Sequence, residues 1–293
     1  MKAIVFGSGG LLGQALLETL PARGYEIVAA FRGRGDADVA DGERVAAILA
    51  AHPCQVVFNA AAWTDVDGAE DHEAESFRAN ALGPEVLGKA TQAAGARLVH
   101  YSTDFVFDGE SEAPYDEAAA ASPQSVYAKG KLEGERRALA GNPRTQILRV
   151  GCLYGKGGRN FPSTLLRRLR AGEAIRADND RRVSPTWVGK VADLSAEIAR
   201  TEATGLFHST AQGETTWARF AGAMVELSGI SGAGVEGVSG AALKLKAARP
   251  RRSILISRRL PEAGLAPLAP WREHLHDYLA SEGALLTRKS GEG

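Results

Sequence analysis

The 293-residue chain lacks net charge, because 35 lysines and arginines are balanced by 35 aspartates and glutamates. This balance argues against nucleic acid or a membrane surface as a partner reached through bulk electrostatics, and it favours a small ligand. Cysteine is also scarce. Cys54 and Cys152 lie in apolar, strand-like stretches and form neither a Cys-x-x-Cys motif nor a Cys/His ligand spacing. We therefore expect two buried thiols, and the sequence predicts no metal site.

Long apolar runs and internal repeats are missing as well. No span of eighteen apolar residues occurs, and the chain starts with a short apolar segment that runs into glycines rather than with a signal peptide. We expect a cytoplasmic protein. A chain of this length can bury a substantial core, either as one large α/β domain or as a cofactor domain with a smaller lobe. We expect the two lobes.

A glycine-rich turn lies between the first predicted strand, Lys2 to Phe6, and an Ala/Leu-rich helix that extends to about Leu20. Such a turn lets the backbone approach a pyrophosphate, and the helix N-terminus adds N–H groups and a favourable dipole. A glycine turn without a ligand is the alternative, but its place between strand and helix favours dinucleotide binding. The residues expected to contact the dinucleotide here are Gly7, Gly10, Leu11, Leu12 and Gly13.

The second predicted strand, Glu26 to Phe31, ends where the adenosine ribose of a dinucleotide is expected. No acid follows it, whereas Arg32 and Arg34 come just beyond. Two arginines suit a 2′-phosphate better than a bare ribose, so we predict NADPH and leave NADH open. The alternative is a solvated basic loop. Asp38 and Val39 could meet the adenine edge, and the next helix starts near Asp41 with an acidic cap.

The third predicted strand, Gln55 to Phe58, delivers Ala60, Ala61 and Ala62 at its carboxyl end. Open α/β sheets bind ligands at this edge, and small side chains leave room for a flat ring or a ribose against the backbone. From Asp65 the chain is acidic, and we predict one long helix that extends from there to about Ala94.

The fourth predicted strand, Arg97 to Tyr101, ends in a hydroxyl pair. Either Ser102 or Thr103 could donate a hydrogen bond to a carbonyl oxygen of a substrate. Downstream, Tyr127 and Lys131 are one helical turn apart, so both can point into one cleft. An ammonium beside a phenol lowers the tyrosine pKa from its usual value of about 10 and makes Tyr127 a proton donor near neutral pH.

Strands that alternate with helices, in the order glycine turn, alanine turn, hydroxyl turn and Tyr/Lys helix, predict a doubly wound parallel sheet of the Rossmann type. The chain resembles the extended short-chain dehydrogenase/reductases, and within them the dTDP-4-dehydrorhamnose reductases. The matching stretches are Gly7-x-x-Gly10-x-x-Gly13, Asn59-Ala60-Ala61-Ala62-x-Thr64, Tyr101-Ser102-Thr103-Asp104-Phe105-Val106-Phe107-Asp108-Gly109, Tyr127-x-x-x-Lys131-x-x-Gly134-Glu135, Asn160-Phe161, Ser184-Pro185-Thr186 and Arg249-Pro250-x-x-Ser253.

The resemblance implies NADPH-dependent reduction of the 4-keto group of a dTDP-linked 6-deoxyhexose, with Tyr127 as proton donor. It also implies that Lys131 binds the nicotinamide ribose and that Thr103 bonds the reacting oxygen. The substrate contacts that it implies are Thr64, Asp104, Cys152, Asn160, Phe161, Arg249 and Ser253.

Two positions depart from the family. Cys152 replaces a tryptophan that commonly lines the sugar pocket, which leaves a related keto-sugar open as substrate. Ala15 stands where some members hold a magnesium at a dimer interface, so no metal is expected.

The expected division of the chain is a dinucleotide domain over residues 1–150, with segments near 183–210 returning to it. Residues 151–182 and 211–293 are expected to form the substrate lobe, and a homodimer is compatible with the family. A non-catalytic NADP-binding regulatory subunit is the competing function, although the tyrosine, the lysine and the hydroxyls are all present.

Overall fold

The computed structural model describes residues 1–156, 160–230, 234–243 and 245–285. The strands in these ranges are β1 (Lys2–Phe6), β2 (Glu26–Phe31), β3 (Val56–Asn59), β4 (Arg97–Thr103), β5 (Gln146–Val150), β6 (Leu153–Tyr154), β7 (Ile175–Asp178), β8 (Thr186–Trp187), β9 (Gly205–His208) and β10 (Val235–Val238). The α-helices are α1 (Leu11–Ala22), α2 (Gly42–Ala51), α3 (Val66–Ala69), α4 (Glu73–Phe77), α5 (Gly83–Ala93), α6 (Val126–Gly141), α7 (Phe161–Arg170), α8 (Val188–Ile198), α9 (Trp217–Ser228), α10 (Arg259–Glu262) and α11 (Trp271–Ser281).

A six-stranded sheet forms the centre of the molecule, in the order β2-β1-β3-β4-β5-β9. Every neighbouring pair in it is parallel. The strand order reverses between β1 and β3, and the carboxyl ends of open sheets bind ligands at such a switch point. The predicted doubly wound parallel sheet is thereby confirmed.

Both faces of the sheet are covered by helices. On one face, Leu16 of α1 and Val191 of α8 pack into a core that includes Phe58. On the other face, Val45 of α2 and Leu87 of α5 pack against Ile4 and its neighbours. All residues of β3, β4 and β5 are buried, as expected for parallel strands that helices cover on both faces.

The long helix predicted between Asp65 and Ala94 is wrong as a single element. Asp65 caps the four-residue α3 by accepting the Gly68 N–H at 2.9 Å, and the chain then restarts at α4. Between α4 and α5 the backbone is π-helical over Arg78–Leu82. A π-turn fits one additional residue into a helix and is often found near functional sites.

A second core lies beyond the sheet and combines α7, α9 and α11 with the short pair β7/β10. Tyr154 is its centre, with Phe220 and Tyr278 packed edge-on at ring distances of 5.4 and 5.3 Å. Among the described residues, no helix combines the length and the apolar composition that a membrane crossing needs.

Candidate active site

A cavity of about 1050 Å³ runs along the carboxyl ends of the central strands, from the glycine turn after β1 to the second core. All the positions that the sequence predicts for the site line it, with the exception of Gly13. A cavity of this size can hold a dinucleotide and a second ligand side by side.

The glycine turn is shaped by close backbone contacts. Gly7 has φ +77°, and a Cβ there would lie 2.3 Å from the Ala61 nitrogen, so only glycine fits. Gly13 lies behind the cavity wall, where a Cβ would come within 2.1 Å of the Gly7 oxygen. It therefore serves helix packing. Gly10, the N-cap of α1, has no side chain of its own, and no described side chain caps this end, which leaves the first-turn N–H groups available to an anion in the cavity.

A group of charges surrounds Asp38 at the end of the cavity beside β2. Arg78 donates two hydrogen bonds to Asp38 Oδ2, at 2.9 and 3.2 Å, and Arg34 adds a third at 3.1 Å. Partial burial opposes ionisation of Asp38, but the Ala40 N–H and Arg78 outweigh it and lower the Asp38 pKa. In the described part of the chain no side chain pairs with the Arg32 guanidinium, which lines the cavity and is exposed.

The alanine turn after β3 is held from behind by the π-helical segment. The buried Asn80 accepts the Trp63 N–H through Oδ1 at 3.0 Å and donates to the Trp63 carbonyl from Nδ2 at 3.1 Å. These two bonds fix the backbone between Ala62 and Thr64, which both face the cavity. On its other side, Asn80 packs against Gly134 of α6.

The two hydroxyls at the end of β4, those of Ser102 and Thr103, have different hydrogen-bond partners. The Ser102 hydroxyl donates to the buried carboxylate of Glu135. Thr103 is buried at the cavity wall, where its hydroxyl donates to Asp104 Oδ1 at 3.2 Å and is also hydrogen-bonded to the Tyr127 hydroxyl. Thr103 is therefore the hydroxyl beside the tyrosine.

Tyr127 and Lys131 both line the cavity, but their electrostatics differ from the expectation. The prediction that Lys131 lowers the Tyr127 pKa is wrong for this structure. Burial raises the Tyr127 pKa to about 12, and Asp104 adds to this, while the Thr103 hydrogen bond opposes it. Lys131 Nζ donates instead to the Tyr101 carbonyl, at 2.5 Å. Burial lowers the Lys131 pKa to about 8, and the Glu135 carboxylate opposes this.

Asp104 and Cys152 lie on the far side of Tyr127. Burial raises the Asp104 pKa to about 6, although hydrogen bonds from Ser253 and Thr103 stabilise the carboxylate. Cys152 has φ +48°, in the left-handed region that non-glycine residues rarely occupy. Burial and then the Asp104 charge hold the Cys152 thiol pKa well above its ordinary range. This thiol is therefore protonated and small rather than nucleophilic.

The second core closes the far end of the cavity. Asn160 caps α7, since its Oδ1 accepts the Ser163 N–H at 3.0 Å while Nδ2 donates to the Gly155 carbonyl at 2.9 Å. The cap places Phe161 at the cavity wall, where its ring meets Trp217 of α9 at 4.8 Å.

Arg249 forms a double ion pair with Asp67, at 2.9 and 3.0 Å. Arg249 and Ser253 line the same end of the cavity. Residues 157–159, just before Asn160, lie outside the described ranges.

Some lining residues are not among those predicted from the sequence. Arg78, Asp178, Arg181 and Trp217 all face the cavity. No sequence pattern marks Arg78 as a cavity residue, because its direction depends on the π-helical segment that it begins. Trp217 follows the capping hydroxyl of Thr216, a pattern that marks a helix start and nothing more.

Comparison with known proteins identifies the family to which the chain belongs. A family model described as the RmlD substrate binding domain matches residues 1–283. A dTDP-4-dehydrorhamnose reductase from Streptomyces griseus is 38% identical over 93% of this chain and 91% of its own length. A probable dTDP-4,6-dihydroxy-2-methyloxan-3-one 4-ketoreductase from Streptomyces antibioticus is 37% identical, over 96% and 97% of the two chains.

A solved structure is similar over the same length. It is a dTDP-4-dehydrorhamnose reductase from Bacillus anthracis in complex with NADP, which covers 96% of this chain and 99% of its own at a TM-score of 0.91 and 29% identity. The resemblance stated from the sequence motifs is confirmed by these matches.

Proposed function

The chain belongs to the RmlD substrate binding domain family, and on that premise we propose that it is an NADPH-dependent reductase of a nucleotide-linked 4-keto-6-deoxyhexose. The substrate that we propose is dTDP-4-dehydro-L-rhamnose, which would become dTDP-L-rhamnose. The observation that carries the proposal is the convergence of Tyr127, Thr103 and Lys131 on the wall of one cavity that starts at the Gly7 turn.

The residues at the β1 end fit a dinucleotide. The uncapped first turn of α1 offers N–H groups for a pyrophosphate, and the Gly7 contact with Ala61 keeps that turn close to the sheet. Arg32 supplies a cation for a 2′-phosphate, and Lys131 lies where it can bond a ribose hydroxyl. When bound, NADPH supplies the hydride that the carbonyl carbon accepts.

The protein's own contribution is to hold and deliver a proton at the sugar oxygen. Tyr127 is protonated throughout the neutral range, because its pKa is about 12. It can therefore donate its O–H to an oxygen that becomes an alkoxide as the carbonyl is reduced. In this structure the single O–H of Thr103 is donated to Asp104 Oδ1, so Thr103 would rotate that O–H to the sugar oxygen and stabilise the charge that develops there. Lys131, which donates to the Tyr101 carbonyl, would use its remaining N–H groups to orient the cofactor ribose beside Tyr127.

The far end of the cavity supports the nucleotide-sugar part of the proposal. Thr64 and Asp104 offer a hydroxyl and a carboxylate to sugar hydroxyls, and the Phe161 and Trp217 rings supply flat apolar surface. Cys152 leaves space where a larger side chain would narrow the sugar pocket, so a related keto-sugar is compatible with the same machinery.

The test is NADPH oxidation with dTDP-4-keto-6-deoxyhexose made in situ. We expect wild-type turnover, a loss of at least a hundredfold in Tyr127→Phe, and NADPH affinity close to wild type in that variant, because general acid catalysis contributes about 10²–10⁴-fold. Lys131→Met should also lose activity, whereas Lys129→Met, on the exposed side of the same helix, should keep it.

Two results would go against this function. Tight NADPH binding without any oxidation by the wild-type protein would favour the regulatory-subunit alternative. A Tyr127→Phe variant that retains most of its turnover would remove the tyrosine from the mechanism.

A further inference from the structure

Glu135 lies one helical turn beyond Lys131 and is 4% exposed. Its carboxylate accepts two hydrogen bonds from Arg149, from Nε to Oε1 at 2.8 Å and from Nη2 to Oε2 at 2.7 Å. The Ser102 hydroxyl donates to Oε1 as well. Arg149 and Ser102 are 4% and 3% exposed, so all three side chains interact out of contact with water.

Each member of this trio belongs to a different element of the cavity wall. Ser102 is the residue before Thr103 at the end of β4. Arg149, on β5, precedes the segment Val150–Cys152, which lines the cavity beside Asp104. Glu135 is on α6 with Tyr127 and Lys131. A bidentate Arg–carboxylate pair is geometrically specific, so it constrains orientation as well as distance.

We propose that Glu135 is a positioning residue of the reductase, which uses Arg149 and Ser102 to fix the ends of β4 and β5 against the helix that carries Tyr127 and Lys131. The proposal rests on the function proposed above. Glu135 does not line the cavity, and it acts through Thr103, Lys131 and the turn after β5.

The positioning role of Glu135 can be measured through the Lys131 pKa, because Glu135 is one of the charged groups around Lys131. Tyr127 lies one turn before Lys131 and Glu135 one turn after, while His100 of β4 is buried nearby and kept neutral by burial and by the Lys131 charge. Of these groups, Glu135 is the anion that raises the Lys131 pKa. Within the described residues no other carboxylate pairs with Arg149, so removing the Glu135 charge leaves a buried guanidinium without a counter-ion.

The experiment compares Glu135→Gln with Glu133→Gln, whose carboxylate pairs with exposed arginines on the same helix. Lys131 is followed in the purified enzyme without substrate by ¹³Cε-lysine NMR, its signal assigned from Lys131→Met. We expect Glu135→Gln to lower the Lys131 pKa by about one unit, which is a tenfold change in the protonation equilibrium. The alkaline limb of kcat should move to lower pH by the same amount, with NADPH affinity unchanged, whereas Glu133→Gln should change neither.

Glu135→Gln could fold poorly because of the unpaired guanidinium, so Glu135→Gln/Arg149→Met is measured as well. This double variant removes both buried charges. We expect its thermal stability to return towards the wild-type value, whereas the Lys131 pKa and the alkaline limb of kcat should stay at the lower pH of Glu135→Gln. If the double variant has the wild-type turnover, Lys131 pKa and alkaline limb of kcat, Glu135 is only structural and the proposal fails. Because the NMR titration needs no turnover, it gives an answer even if the wild-type protein reduces no keto-sugar.

Discussion

Gly134 of α6 offers a sharp test of how the catalytic helix is placed. A Cβ at this position would lie 2.0 Å from the Asn80 backbone oxygen, about 1.4 Å short of ordinary contact. Asn80 lies in the π-helical segment and fixes the Trp63 backbone, so neither side can yield without moving part of the site. In Gly134→Ala, α6 and the loop after β3 must separate.

The magnitude follows from two opposing effects. Glycine to alanine in a helix interior normally stabilises a protein by about 0.5–1 kcal/mol. Gly222 of α9 is the matched control, because a Cβ there meets nothing within 4 Å. Inserting a methyl group where there is no space typically costs about 1–3 kcal/mol. We therefore expect Gly134→Ala to be about 2 kcal/mol less stable than Gly222→Ala in urea unfolding.

Activity should respond more strongly than stability. A displacement of about 1 Å between catalytic groups can cost about 10²-fold in rate. We expect kcat of Gly134→Ala to fall by at least tenfold with little change in NADPH affinity, and kcat of Gly222→Ala to remain at the wild-type value. If Gly134→Ala matches Gly222→Ala in both unfolding and turnover, the close contact between α6 and the π-helical segment is not a constraint on the site.

Three further outcomes are expected. Arg32→Ala should lower kcat/KM for NADPH by about tenfold or more, because a charge-assisted contact is lost, and should leave kcat/KM for NADH unchanged. Arg34→Ala should have a smaller effect, since the Arg34 guanidinium is paired with Asp38. Equal losses with both coenzymes would contradict the assignment of Arg32 to the 2′-phosphate. Turnover should fall as pH rises through about 8, since that is where Lys131 loses its proton, and a pH profile that stays flat well above this value would count against a charged lysine. Asp104→Asn should raise Tm, more at pH 8 than at pH 5: the folded-state pKa of about 6 lies above the unfolded value of 3.8, so protonation stabilises the fold at low pH and this stability is lost as pH rises through 6. At about 1.36 kcal/mol per pKa unit the gain is at most about 3 kcal/mol, and a variant with the same Tm gain at both pH values would refute this explanation.

The framework of the fold could be predicted because its signals are local. The bounds of β1 and β2 agree with the sequence prediction, since each is an apolar run ended by glycines or arginines. The cavity-lining positions of the first three turns follow from the rule that parallel strands carry ligands at their carboxyl ends.

Other features could not be predicted because they depend on partners distant in sequence. Ser102 and Thr103 are equivalent by pattern, and only the buried Glu135 carboxylate, from another element, separates them. The Tyr127 pKa depends on how deeply the phenol is packed, which a Tyr-x-x-x-Lys spacing does not encode. Composition predicts one long helix after Asp65, whereas the chain turns at residues 70–72 between α3 and α4, a break that no composition signal marks.

The π-helical segment Arg78–Leu82 contains one residue more than an α-helical turn of the same rise would contain. It changes the angular phase between α4 and α5, so its first residue, Arg78, faces the cavity while α5 packs on the sheet. Deleting one residue there would give a more regular helix and would withdraw Asn80 from Trp63. The irregular hydrogen bonds of the π-helical segment are therefore the structural cost of holding the loop after β3 in place.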